Sequence, residues 1–185
     1  MNLIILVALL VSGCSSQTVE TTNYYLLRSD VKMESGTESA SSIVLGRVEV
    51  ATYIDQPGLV LGNSGTQIHV ARHHQWAEPL RVSLRRFLAL EISSMLNAPV
   101  AVAGDKKNAT TVNVTVDQLH GNSQGEAILI AFWEVITADG SSEMYRFSDS
   151  GRLTRDGYEA LVVAEQALLQ SLSQQIAQSL QVNVQ

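Results

Sequence analysis

Two long segments with helical periodicity constrain the fold of this chain most strongly. Large apolar side chains recur three or four residues apart over residues 79–96 and again over residues 158–181. This spacing gathers apolar side chains on one face of a helix. Pro79 stands in the first turn, where proline is tolerated, and Pro99 follows the predicted end of the first helix. Each helix must therefore bury one face against another layer of the fold.

Strand patterns supply that layer. Residues 111–117 alternate strictly between polar residues and valine, which predicts a half-buried strand. Residues 127–136 are almost wholly apolar and predict a central strand with both faces covered. The turn residues Asp139 and Gly140 lead to a return strand over residues 143–147. Further strands are predicted over residues 24–27 and 43–54, and a hairpin over residues 59–61 and 68–71.

The order of these elements predicts the fold class and the domain organisation. Strand runs interrupted by two helices are typical of an α+β fold. We expect a mixed or mainly antiparallel sheet, with the two long helices packed on one of its faces. One domain is expected over residues 23–185, because this length is typical of a single domain.

The N-terminal segment predicts the cellular compartment. An apolar run over residues 3–11 is followed by Ser12, Gly13 and Cys14, the only cysteine of the chain. A short apolar run that ends in small residues is typical of a secretory signal peptide. The cysteine directly after the small pair makes the site a bacterial lipobox. Because a membrane span needs about 20 apolar residues, a transmembrane helix is not expected here.

Lipidation of Cys14 is therefore predicted, with residues 1–13 as a lipoprotein signal peptide and residues 14–22 as a lipidated tether. The thiol would carry lipid, and the new N-terminus would carry an acyl chain such as palmitate. One chain holds a protein only reversibly, so firm attachment needs two or more. In such lipoproteins an Asp after the cysteine often signals inner-membrane retention, and Ser15 at that position favours the outer membrane.

Charge and motifs argue against several classes of function. The chain has 12 Lys and Arg against 18 Asp and Glu, and its net charge of −6 disfavours a nucleic-acid partner. The sequence contains no serine-nucleophile elbow and no phosphate-binding loop, so we expect neither enzyme activity nor a cofactor. His69 and His73 have a helical metal spacing but lie where a strand leads into a loop, so no metal is expected. The role of these two residues and of His74 stays open.

Three features allow both a structural and a binding interpretation. Trp76 either packs the entry of the first helix against the sheet or contacts a partner. Arg81, Arg85 and Arg86 form either a solvated basic face or an interface for carboxylates. The second helix has a Gln- and Ser-rich side with few charges, which is either solvated or a subunit or partner surface. That side is formed by Gln166, Gln170, Ser173, Gln174 and Gln181.

Several motifs, taken in order, resemble the PqiC/YmbA family of ABC-type transport auxiliary lipoproteins. The lipobox is followed by a short tether and by Tyr-Tyr-Leu-Leu at residues 24–27. The run Gln-Trp-Ala-Glu-Pro-Leu at residues 75–80 opens the first helix, and Asp-Gly-Tyr at residues 156–158 opens the second. The resemblance spans the whole mature chain, and Trp-Ala-x-Pro-Leu before a helix is its most specific part.

The resemblance implies a periplasm-facing outer-membrane lipoprotein that works with an MCE-domain protein anchored in the inner membrane. It implies a homo-oligomer that docks this partner, a role in lipid transport and membrane integrity, and no chemistry of its own. The motif residues that it carries over are expected to build the fold and position its helices. They are Trp76, Pro79, Leu80, Asp156, Gly157 and Tyr158. The alternative is a stand-alone periplasmic lipoprotein that binds lipid or another ligand.

Overall fold

A computed structural model of the chain describes residues 20–31, 42–63, 66–102 and 108–182. Cys14 and the signal peptide predicted before it lie outside these residues. Eight strands and two helices are described. In chain order they are β1 (Asn23–Tyr25), β2 (Ile43–Val50), β3 (Gly58–Gly62), β4 (Ile68–Trp76), α1 (Leu80–Leu96), β5 (Val100–Ala101), β6 (Thr110–Asn122), β7 (Glu126–Ile136), β8 (Ser142–Arg152) and α2 (Tyr158–Val182).

The eight described strands form one mixed sheet with β6 at its centre. Along one edge of β6 runs the antiparallel β7, which continues into the antiparallel β8. Along the other edge lie two parallel strands, β2 beside the first half of β6 and β3 beside its end. The short β5 pairs parallel with β2, while β4 pairs antiparallel with β3 and parallel with β1. The predicted mixed α+β sheet is therefore confirmed.

The core lies between this sheet and the two helices, which pack on one face as predicted. Every second residue of β7 is buried, and Trp133 marks this inner face. Its indole Nε1 donates a hydrogen bond to Ser179 Oγ of α2 over 3.0 Å, inside the core. The α1 helix contributes Phe87 and Leu88, which are both 1% exposed or less. Burial of such side chains is the main favourable term in folding.

In the described part of the chain, no other layer covers the second face of β7. Ile128, Ile130 and Phe132 alternate with the buried residues and are only half-buried. The guanidinium of Arg146, on the neighbouring β8, lies 6.0 Å from the ring centroid of Phe132 and shields it in part. The prediction that both faces of this strand are covered is therefore wrong, because an apolar run does not reveal what packs on each side.

The helix ends agree with the sequence prediction to within one residue. Pro79 precedes the first residue of α1, and its carbonyl accepts hydrogen bonds from Val82 N at 2.9 Å and Ser83 N at 3.2 Å. Asn97 ends the helix with φ 49°, in the left-handed region where asparagine is tolerated. Gly157 precedes α2 with φ +109°, a conformation that favours glycine. The motif residues thus lie at the points where the chain changes direction.

Candidate functional site

The Trp76 motif closes β4 and opens α1. Trp76 is buried, and its backbone N donates to Pro57 O over 2.7 Å. The next residue, Ala77, donates from its N to Tyr25 O over 2.8 Å, so the first strand is tied to the same corner. Because the indole is buried in the core, it packs the helix entry against the sheet. The partner-contact interpretation finds no support in this geometry.

Side chains in α1 and just before it hold the first turn of this helix in place. Leu80 is buried in the core, while the Glu78 carboxylate accepts a hydrogen bond from Ser83 Oγ at 3.0 Å. The same carboxylate pairs with Arg86. The hydrogen bonds from Arg86 and Ser83 hold the pKa of Glu78 below its usual value. Glu78 therefore balances one of the predicted basic residues.

Three aromatic rings stack on one another where α2 begins. The Tyr158 ring lies parallel to the His74 ring, with centroids 4.0 Å apart, and Tyr25 stacks on His74 at 6.0 Å. The Tyr25 hydroxyl and His74 Nδ1 share a hydrogen bond of 2.8 Å. Burial, followed by the nearby Glu159, raises the pKa of Tyr25. The stack joins β1, β4 and α2, whereas Asp156 is exposed.

The N-terminal segment lies against this same edge. His73 Nε2 is 2.8 Å from Glu20 Oε2, and His73 Nδ1 is 3.5 Å from Thr22 Oγ1. The C-terminal end of the predicted tether therefore contacts β4 through His73. Sequence reasoning left His73 unassigned, because nothing in the pattern shows that β4 extends this far.

The described histidines form no metal centre. Within residues 20–31, 42–63, 66–102 and 108–182, no three His, Cys, Asp or Glu side chains come together in a metal-binding arrangement. His69 and His73 lie on β4, not on a helix, so their spacing does not converge. None of the helices in the described part of the chain has the length and apolar character needed to cross a membrane.

The three arginines of α1 have different partners. Arg81 pairs with Asp55, and Arg86 pairs with Glu78. Arg85 instead donates from Nη2 to Leu45 O at 3.3 Å and also to Val102 O. The three guanidinium groups border a groove of about 550 Å³ between α1 and the β2–β5 edge. Sequence reasoning found the arginines but missed the groove, because its wall includes the two-residue β5, which was not predicted.

The exposed side of α2 is almost free of charge. Between residues 160 and 182 the only charged residue is Glu165, and it is buried. Ser173 is also buried and donates from Oγ to Leu169 O over 2.8 Å, so its predicted place on the polar side is wrong. The small hydroxyl satisfies itself within the helix and faces the core. The exposed line that remains, here called the neutral stripe, consists of Val163, Ala167, Ser171, Gln174 and Gln178.

Comparison with known proteins decides the family. The sequence model of the family described as ABC-type transport auxiliary lipoprotein component matches residues 24–177. The chain belongs to this family. The matched region of the lipoprotein begins in β1 and includes the aromatic stack, both helix entries and most of α2. The family resemblance drawn from the motifs is therefore confirmed. No curated protein matches the chain.

Solved structures share the fold of the lipoprotein. A crystal structure of an uncharacterized protein is 27% identical, covers 87% of this chain and 99% of its own, and superimposes with a TM-score of 0.75. A Xanthomonas campestris protein of family DUF330 is 14% identical, covers 83% of this chain and 92% of its own, and has a TM-score of 0.65. The second likeness concerns the fold alone.

Proposed function

We propose that this lipoprotein is an outer-membrane subunit of an MCE-type intermembrane lipid-transport system. It docks the periplasm-spanning partner, supports envelope integrity and catalyses no reaction itself. The observation that carries the proposal is the family match to transport auxiliary lipoproteins, together with the lipobox at Cys14. A protein that holds a transport partner at one membrane needs a firm membrane attachment and a surface that docks the partner.

The attachment is supported by the contacts of the tether. Glu20 and Thr22 both contact His73, so the end of the tether is fixed to β4. The domain is then held close to the bilayer surface by the short chain before Glu20. Two or more lipid chains on Cys14 would make this attachment firm.

The neutral stripe supports a contact between identical subunits. A solvated helix usually carries charged residues on its exposed side, and this stripe carries none over about 22 Å from Val163 to Gln178. Interfaces are depleted in charged residues at their centre. We therefore assign the stripe to subunit contacts of a homo-oligomer, which presents several copies of the domain to one partner.

The attachment is tested by Cys14→Ser in the full chain. The variant should leave the membrane fraction and lose function in an envelope-integrity assay, because no lipid can be added to serine. Its far-ultraviolet circular dichroism should match that of the wild type, since Cys14 precedes the domain. A membrane-released variant that supports full envelope integrity would contradict the proposal.

The docking role is tested by cross-linking in cells followed by purification of the tagged, lipidated protein. An MCE-domain protein should be recovered with the wild type. Ala167→Arg should reduce both the oligomer bands and this recovery, because it places a charge in the neutral stripe. Ser123→Arg, in the exposed β6–β7 turn, is the matched control and should change neither. Recovery of oligomer without any MCE-domain protein would refute the transport role and leave the subunit contact intact.

A further inference from the structure

The groove beside α1 has walls of aliphatic side chains. Val82 of α1 and Val102, next to β5, border it and are 55% and 38% exposed. Val48 and Val100 line its floor. Its volume of about 550 Å³ falls within the range of roughly 300–1,000 Å³ that small-molecule sites occupy. Exposed valines beside a cavity of this size indicate an apolar ligand group.

Among the described residues, one cation of this groove has no carboxylate partner. Arg81 and Arg86 are neutralised by Asp55 and Glu78. Among the described residues, Arg85 donates hydrogen bonds only to the backbone carbonyls of Leu45 and Val102, at the β2–β5 edge. Its Nε is buried and has no hydrogen-bond partner in the described part of the chain. An unsatisfied buried donor costs stability, and a guanidinium suits a phosphate or carboxylate through its fork of donors.

We propose that the groove binds an anionic amphiphile, with the acyl chain along the valines and the phosphate or carboxylate at Arg85. A small polar anion would leave the valines exposed, and an uncharged lipid would leave Arg85 without a counter-ion. An acidic peptide fits less well, because its backbone needs hydrogen-bond partners. The polar side chain of the groove besides the arginines is Ser93, whose Oγ already accepts from Val100 N at 2.9 Å. The site lies on α1 and does not depend on the proposed MCE partner.

Site-specific photo-cross-linking in cells tests this binding with the full, lipidated chain. Benzoylphenylalanine placed at Val82 should take up phosphorus-32 from labelled phospholipid on irradiation, since its carbonyl inserts into nearby C–H bonds. Acyl groups on Cys14 carry no phosphorus and inorganic phosphate has no C–H bond, so neither produces the signal. The same probe at Val163, 59% exposed on α2, is the control and should remain at background. Mass spectrometry of the cross-linked peptide distinguishes a phospholipid from a fatty acid.

Substitutions in the groove test the recognition of the head group. Arg85→Gln should lower the signal from the Val82 probe about tenfold, the loss expected for one charge-assisted hydrogen bond. Arg155→Gln, which removes an arginine paired with Glu159 outside the groove, is the control and should leave the signal unchanged. Because Arg85 also braces β2 and β5, Val102→Glu provides a second variant that keeps Arg85. It should also lower the signal, because a carboxylate in the groove wall repels an anionic ligand. Equal labelling at Val82 and Val163, or a protein adduct in place of lipid, would overturn the proposal.

Discussion

Replacing Glu165 by glutamine should stabilise the domain and remove a pH dependence from it. Glu165 lies on the core side of α2, is 2% exposed, and its Oε2 has no hydrogen-bond partner among the described residues. Burial raises its pKa from 4.5 to about 8, because desolvation penalises the charged carboxylate. The folded protein therefore keeps this carboxyl protonated at neutral pH, whereas the unfolded chain ionises it.

The size of the effect follows from the two pKa values. Between pH 5 and pH 7 the folded state binds one proton at Glu165 that the unfolded state has lost. The free energy of unfolding must then fall by about 1.4 kcal/mol for each pH unit. Two units correspond to a loss of about 3 kcal/mol in the wild type. Glutamine is neutral at every pH and has a similar shape to glutamate. At pH 7 the free energy of unfolding of Glu165→Gln should therefore exceed that of the wild type by about this amount.

Urea unfolding followed by tryptophan fluorescence measures this gain. Both tryptophans, Trp76 and Trp133, are buried, so their emission reports the loss of the core. Wild type and Glu165→Gln should have similar stability at pH 5 and diverge as the pH rises to 7. Glu159→Gln is the matched control, since its carboxylate lies on the exposed side of α2 and pairs with Arg155. Parallel pH profiles for wild type and Glu165→Gln would refute the reasoning.

Three further substitutions test individual contacts within the fold. Gly157→Ala should lower the free energy of unfolding by about 1–3 kcal/mol, because alanine is strained at φ +109°. An unchanged midpoint in urea unfolding would contradict this. Trp133→Phe should lower the free energy of unfolding by about 1 kcal/mol, because it removes the hydrogen bond to Ser179. The same urea titration measures this, and an unchanged free energy would show that the bond makes no net contribution. Tyr158→Ala should speed amide hydrogen exchange in β1, because it removes the ring that stacks on His74, whereas Tyr158→Phe keeps the ring and should not. Equal exchange rates of the β1 amides in the two variants would count against a role for the stack.

The helices were predictable because their signals are local. Apolar spacing, Pro79 before the first turn and Asn97 after the last one fix α1 without reference to the rest of the molecule. Strand extents were less predictable, since they depend on partners distant in sequence. β6 continues to Asn122, beyond its alternating segment, because β7 pairs with it along its length and β3 at its end. The two-residue β5 has no signal of its own and exists through its pairing with β2.

The candidate sites also divide into features with local sequence signals, which were predictable, and features built from distant segments, which were not. The motif residues around Trp76 and Gly157 were found from sequence, because turns and helix entries need particular residue types there. The aromatic stack was not found, since Tyr25, His74 and Tyr158 come from three distant segments. The groove was missed for a related reason: whether an arginine is neutralised depends on residues such as Asp55 that only the fold brings near.

The proposed anchor and the proposed subunit contact reinforce each other through their positions. The tether reaches the domain at His73, whose neighbour His74 stacks on the first residue of α2. The neutral stripe begins at Val163, five residues further along that helix, so it starts close to the anchored edge. The proposed anchor would confine every copy to a thin layer at the membrane and raise its effective concentration. A stripe of valine, alanine, serine and glutamine provides only a weak contact in dilute solution. Because confinement adds to that contact, lipidation at Cys14 would control assembly as well as location.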